Sequence, residues 1–381
     1  MDATSAMTRA ADPYRAGLEL AGSLARIDPE VVVLTTTIDY GNSSEILDGL
    51  RDGIDNDDLI IVGSTGDGCY GAEGVGTHGA SAMALTSGGA VDWRVVSGSG
   101  MAAEPETVTR QVLDHATATE QPALLYLVSD FRTDASRIES VLRDYPDTPI
   151  TGGLAADDDR LQESVLYAND RVITDGIVGL AAYGTIDVWT QTANDVTPLG
   201  PWGTVEDAEA TTLRRIDGMD ATAFIEHALG KPILRSDRAV ICLRLADPQE
   251  PQRYRVRSVV PDFAGAEEHI GLFGGIRVGE RVQLCVPEAG ELLGGIERLA
   301  VQAREDGITP AAALMVSCAG RKWFLGDQVQ EEITSLTETF PDGLAMTGFA
   351  SFGEIGPQTG AGAQQTNAFH NMSLVLTLIG S

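Results

Sequence analysis

Runs of apolar, often β-branched residues recur along this chain, each leading through a polar turn into an amphipathic segment, a second apolar run and a cluster of glycines. PEVVVLTTTI is followed by SSEILDGLRDGI and then DLIIVGSTGDG. Such runs fit strands buried on both faces. The segment between them has helical spacing, with Ser43 or Ser44 placed to cap it. The order returns over residues 122–159, PALLYLVSDFRTDASRIESVLRDYPDTPITGGLAADDD, and over 310–356, from PAAALMVSCAGR to TGFASFGEIG. VSDFR at 128–132 lines up with VSCAGR at 316–321, and YPDTPITGG at 145–153 with FPDGLAMTG at 340–348. Three copies of one strand–helix–strand unit predict internal duplication, too dispersed for a solenoid.

The remaining segments read differently. Tyr14, Leu18, Leu20, Leu24 and Ile27 give residues 10–27 a helical period. Residues 161–191 and 252–287 alternate strands with Asn-Asp and Asp-Gly turns, as in meanders of hairpins. Residues 200–229 read as a connector ending in a helix that opens at Asp220. The predicted fold is α/β (α+β): two related lobes of layered, mixed β-sheets flanked by helices. The expected divisions are an extension over 1–28, a first domain over 29–220 and a second over 221–381.

Composition narrows the function. The chain has 381 residues, 43% of them hydrophobic, and a formal charge of −30. That charge argues against nucleic acid and against anionic membrane surfaces as partners. No run of 18 apolar residues spans a bilayer, and the amino terminus lacks the pattern of a secretory signal, so a cytoplasmic protein is expected. Cys69, Cys242, Cys285 and Cys318 are too scattered for a disulfide framework or a zinc site.

Three clusters carry candidate chemistry. The glycine turn GSTGDGCYGAEG lacks the lysine of a phosphate loop and leads into a strand, not a helix, which argues against nucleotides. Its backbone amides around Gly63, Ser64 and Thr65 could instead face a small polar ligand. Ser317, Cys318 and Arg321 stand at a strand mouth, where the arginine fork suits a carboxylate or pairs with Glu331 or Glu332. Glu354, after Gly353, either caps backbone amides or meets an ammonium group. It stands out because neither earlier copy has an acid in the same flanking pattern.

These motifs resemble one known family. VSCAGR, GFASFGEIGP and HNMSLVLTL look like the FIST carboxyl-terminal domain, and VGSTGDGCYG, ITGGLAADDD and VITDGIVGLAAYG resemble the amino-terminal one. The likeness covers about residues 30–380. It departs where relatives show Gly-Cys-Ser and this chain has Gly63-Ser64-Thr65, at Asn371-Met372-Ser373, and in the lengthened loop after Pro357. The resemblance implies a sensory module of signal transduction that binds a small ligand such as an amino acid. Its partner would be a histidine kinase or another signalling protein such as a cyclic-dinucleotide enzyme.

On that reading Arg321 holds the ligand carboxylate and Glu354 its ammonium. The amides of Gly63–Thr65 and Gly152-Gly153, with Ser129, Ser317, Cys318, Gly353 and Asn371, complete the site. No catalytic residue and no metal is expected. A haem-based nitric oxide sensor using His370 or His269 is the alternative, followed by an enzyme with Cys318 or Cys69 as nucleophile.

Overall fold

A computed structural model describes residues 1–381 except 42, 238–239, 247–253, 262–268, 342, 359–366 and 381. The lengthened loop after Pro357 therefore lies largely outside the described residues. Three units of one design follow each other along the chain. Each has an edge strand, a helix, a first strand, a helical segment, a second strand, a hairpin and a closing strand.

In the first unit these are Asp2–Thr8, Pro13–Leu24, Val31–Thr36, Glu45–Ile54, Ile60–Thr65, the hairpin Cys69–Gly71 with Gly74–Gly76, and Ala80–Thr86. In the second they are Val91–Ser99, Pro105–Thr117, Leu124–Ser129, Ala135–Leu142, Ile150–Leu154, Leu166–Ala168 with Arg171–Ile173, and Gly176–Gly184. In the third they are Asp187–Ala193, Ala289–Glu305, Pro310–Cys318, Ala319–Leu325 with Glu331–Thr339, Ala345–Ser351, Glu354–Pro357 with Asn367–His370, and Leu374–Gly380.

First and second strands pair in parallel in all three units, and the closing strand runs antiparallel beside the first. One face of each first strand meets a shared core: Val31 and Val33, Leu124, Tyr126 and Val128, and Leu314 and Val316 pack together. The other face, Val32 and Leu34 or Leu125 and Leu127, packs under the unit's own helices. Burial on both faces explains why these strands read as unbroken apolar runs.

The hairpins are exchanged. The first unit's hairpin joins the third unit's sheet beside Ala345–Ser351; the second's joins the first unit's sheet beside Ile60–Thr65. The third's joins the second unit's sheet beside Ile150–Leu154. This cycle of three sheets, each with strands from two units, makes a pseudo-threefold body. The two predicted lobes are thus knitted together by strands crossing in both directions.

The copies are also aligned more finely than their sequences suggest. A Cβ on Gly63, Gly152 or Gly348 would lie 1.7, 1.8 or 1.9 Å from the carbonyl oxygen of Leu34, Leu127 or Met315 on the neighbouring strand. Gly152, not Gly153, is therefore the counterpart of Gly348, one residue away from the match read in the sequence. The glycines lie inside strands, and close approach of the backbone explains them.

Two sequence expectations change. The edge strand Asp2–Thr8 makes the amino terminus an integral part of the first unit, and its helix buries Ala16, Gly17, Leu20, Ala21 and Leu24 while Tyr14 and Leu18 face outward. The supposed connector is mostly sheet: Val196–Glu209 and Thr212–Ile216 join Cys242–Ala246, Tyr254–Pro261 and Arg281–Pro287 in a seven-stranded sheet inserted into the third unit. Its core is separate, built on residues such as Phe224, Leu243 and Leu284.

Candidate functional site

The second strands end against one another. Ala156 N donates to Thr65 O (3.1 Å), Leu154 N to Gly353 O (2.8 Å), Phe352 N to Leu154 O (3.2 Å) and Asp67 N to Ala350 O (2.8 Å). These bonds close a ring through all three units. Just beyond it every unit supplies a buried acid: Asp67, Asp157 and Glu354. An acid near the strand end is thus common to the three copies, and what differs is what each one binds.

Asp157 accepts the amides of Leu161, Gln162 and Glu163 at 2.8, 2.6 and 3.0 Å. Asp158, Asp159 and Leu161 in that loop take positive φ of 55°, 60° and 53°, a strained path for non-glycine residues. Asp67 accepts from Lys322 Nζ at 2.7 Å and from Trp323 Nε1, which ties the first unit to the third. Phe352 lies under Trp323 and edge-on to Phe131. Burial, then the nearby Asp67 charge, pushes the Asp158 carboxyl up to about 6.

Glu354 is fully buried and faces Gly153 across an antiparallel pair. Cys69 and Leu166 hold that place in the other two sheets, opposite Phe349 and Ser64. Its carboxylate accepts from Ser351 Oγ and from Ser373 N and Oγ (3.2 and 2.7 Å), and burial raises it to about 7. Asn371, close by, accepts from Ser258 N.

Arg321 is equally enclosed. Its guanidinium donates to Glu332 Oε1 through Nε (3.0 Å) and Nη2 (2.9 Å) and to Leu292 O; Ser317 Oγ donates to the other oxygen of Glu332. Arg321 Nη1 and Tyr70 Oη beside this network are buried with no partner among the described residues. Thr65 Oγ1 accepts from Val165 N, and Ser129 is buried near Asp130 and Gly176. Ser64 Oγ is buried and has no partner among the described residues. The sequence-derived residues therefore gather as the frame around the strand-end ring. Arg321 and Glu354 occupy separate clusters, the first on Glu332 and the second on Ser373.

A cavity of about 350 Å³ opens where the first unit's hairpin meets the third unit's helices, lined by Met7, Thr8, Arg9, Glu73, Gly74, Val75, His78 and Gln330. Gln330 clamps Val75 through both of its backbone groups, at 2.8 and 2.9 Å. Arg9 and Glu73 form no ion pair among the described residues. His78 binds Asp39, which also holds Arg160. The sequence reading did not select this lining, because it comes from an unrecognised edge strand and the far side of a hairpin.

Two other chemistries fare poorly here. His370 is fully buried with Nε2 unpartnered among the described residues, and burial lowers it to about 4. Neither it nor half-buried His269 lines the cavity, whose charged walls do not fit haem. Burial raises the Cys69 thiol to about 11 and Cys318 well above its usual value, opposite to what a thiolate nucleophile requires. Among the described residues no helix is long and apolar enough to cross a membrane.

Comparison with known proteins agrees with the motifs. The FIST N domain matches residues 30–219 and the FIST C domain residues 210–357. Two uncharacterised proteins of Mycobacterium tuberculosis, from strains CDC 1551 / Oshkosh and ATCC 25618 / H37Rv, are each 26% identical over 265 residues. Each match covers 63% of this chain and 63% of the relative. FIST domains are sensor domains of signal transduction, thought to bind small ligands. With both domains matched in order across most of its length, the chain belongs to the FIST family.

Proposed function

We propose that this protein is a sensor whose cavity between the first unit's hairpin and the third unit's helices binds a free amino acid or a similar small zwitterion. The observation that carries the reading is the lining: Arg9 and Glu73, of opposite charge and unpaired among the described residues, face one volume of about 350 Å³. An arginine fork suits a carboxylate and a glutamate an ammonium group. The buried frame, including Arg321, Glu354, Gly63 and Gly152, holds the strand ends that shape the walls.

Ligand seated there is reported through Gln330. This residue clamps the hairpin and directly precedes the helix Glu331–Thr339, which carries Glu332 onto Arg321. A shift at the cavity thus reaches the third unit's core, and from there a signalling partner such as a histidine kinase.

Calorimetric titration of the purified protein with each free amino acid tests the reading. Saturable binding of at least one is expected, weakened roughly tenfold or more in Arg9→Gln and Glu73→Gln. Absence of binding across the set, or equal affinity in both variants, would overturn it.

A further inference from the structure

The charge of −30 makes any concentration of arginine conspicuous. One exists where the helix Ala135–Leu142 of the second unit faces the inserted seven-stranded sheet. A second cavity, of about 480 Å³, lies between them, lined by Arg143, Arg255 and Arg277 together with Ser136, Ser140, Glu139 and Asp144. Ala210 and Gly275, in the connections between strands of the inserted sheet, lie on its opposite wall. Interfaces between separately cored layers are common places for ligands.

The carboxylates around this cavity are already engaged. Glu139 holds Arg143 at 3.0 Å and the fully buried Arg257 at 2.8 Å, Asp144 holds Arg110 at 2.7 Å, and Glu280 holds Arg255. Five arginines therefore stand against three acids. The surplus is visible on Glu139: burial opposes its ionisation, yet Arg257, Arg255 and Arg143 together pull it down to about 2. Two donors remain unspent. Among the described residues, the buried Arg255 Nε has no acceptor and Arg277 makes no ion pair. A buried donor left without a partner calls for an explanation.

We propose that this cavity is a second ligand site, for a small molecule carrying a phosphate or diphosphate group. Arg277 and Arg143 grip the anion from opposite walls, and Arg255 Nε supplies a buried donor. A multivalent anion accounts for three converging guanidinium groups where a single carboxylate needs one. The site bridges the pseudo-threefold body and the inserted sheet, so occupancy would fix one against the other. It is independent of the zwitterion cavity: none of its lining residues is shared.

Inorganic pyrophosphate, titrated calorimetrically at constant ionic strength, is the probe. Saturable one-to-one binding is expected, reduced roughly tenfold or more in both Arg277→Gln and Arg143→Gln. It should be unchanged in Arg298→Gln, an exposed arginine of the helix Ala289–Glu305 that does not line this cavity, and in Glu73→Gln. Arg277 is exposed and makes no ion pair among the described residues, so its variant keeps wild-type stability and its loss of binding cannot be ascribed to unfolding. No binding beyond that of matched chloride, or equal binding by Arg277→Gln, would refute the site.

Discussion

Arg321 and Glu332 face each other 2.9 Å apart with neither side chain exposed to solvent. The pair joins the helix Ala319–Leu325 to the helix that follows the cavity-clamping Gln330. Removing one partner strands a buried charge, so Arg321→Ala should lose about 3–5 kcal/mol in urea denaturation. Replacing both, as in Arg321→Met with Glu332→Leu, should recover most of that loss. If the double variant were no more stable than the single, the pair would have some other role.

Glu354 and His370 impose opposite dependences on pH. Glu354 titrates near 7 in the folded protein against about 4.5 unfolded, so its contribution is full below pH 4.5 and fades as pH rises to 7. His370 titrates near 4 against about 6.5, so folding loses stability as pH falls from 6.5 to 4. In Glu354→Gln the histidine's acid destabilisation should emerge alone, on the order of 3 kcal/mol over that interval. In His370→Gln stability should instead rise on acidification. Chemical denaturation at several pH values reads both slopes, and parallel profiles for the two variants would contradict the assignment.

Alanine at Gly63, Gly152 or Gly348 puts a methyl group inside a neighbouring carbonyl in every unit. The rigid strand pair cannot give way, so each variant should lose more than about 3 kcal/mol. Alanine at Gly22 or Gly290, where nothing lies within 4 Å, serves as the control. Similar denaturation midpoints for both groups would argue against the close approach.

Lys322 is the cation shared by the acids at the junction. In Lys322→Met, Asp67 keeps the Trp323 indole as its one side-chain donor among the described residues, and a loss of about 2–3 kcal/mol is expected. Lys322 also helps to hold down Asp158, so the loss should be larger at pH 8, where the Asp158 carboxyl is ionised, than at pH 5. Thermal melts at the two pH values check this, and a loss independent of pH would rule out coupling to Asp158.

The three parallel strand pairs were legible because burial on both faces writes an unbroken apolar run, and the Arg321–Glu332 pair was among the partners that spacing allowed. Asp2–Thr8 was not legible: DATSAMT alternates weakly and is half-covered, as edge strands are. Hairpin exchange left no trace either, since Cys69–Gly71 reads the same whichever sheet receives it. Glu354 looked like a residue in a glycine turn, whereas the register makes it the counterpart of Cys69 and Leu166. The cavity lining was invisible for a related reason. Met7, Glu73 and Gln330 are distant in sequence and meet only once the hairpin has crossed to the third unit.

The exchanged hairpins also govern how the chain comes off the ribosome. While the first two units are being made, the hairpin around Cys69 has no sheet to join, and Ile150–Leu154, paired on one side with Leu124–Ser129, has its other side open until Glu354–Pro357 appears. The body can close only when the third unit's closing strand, Leu374–Gly380, is available. A nascent chain of this design therefore carries an open strand edge for most of its synthesis, and a stop codon late in the message is as damaging as one in the middle.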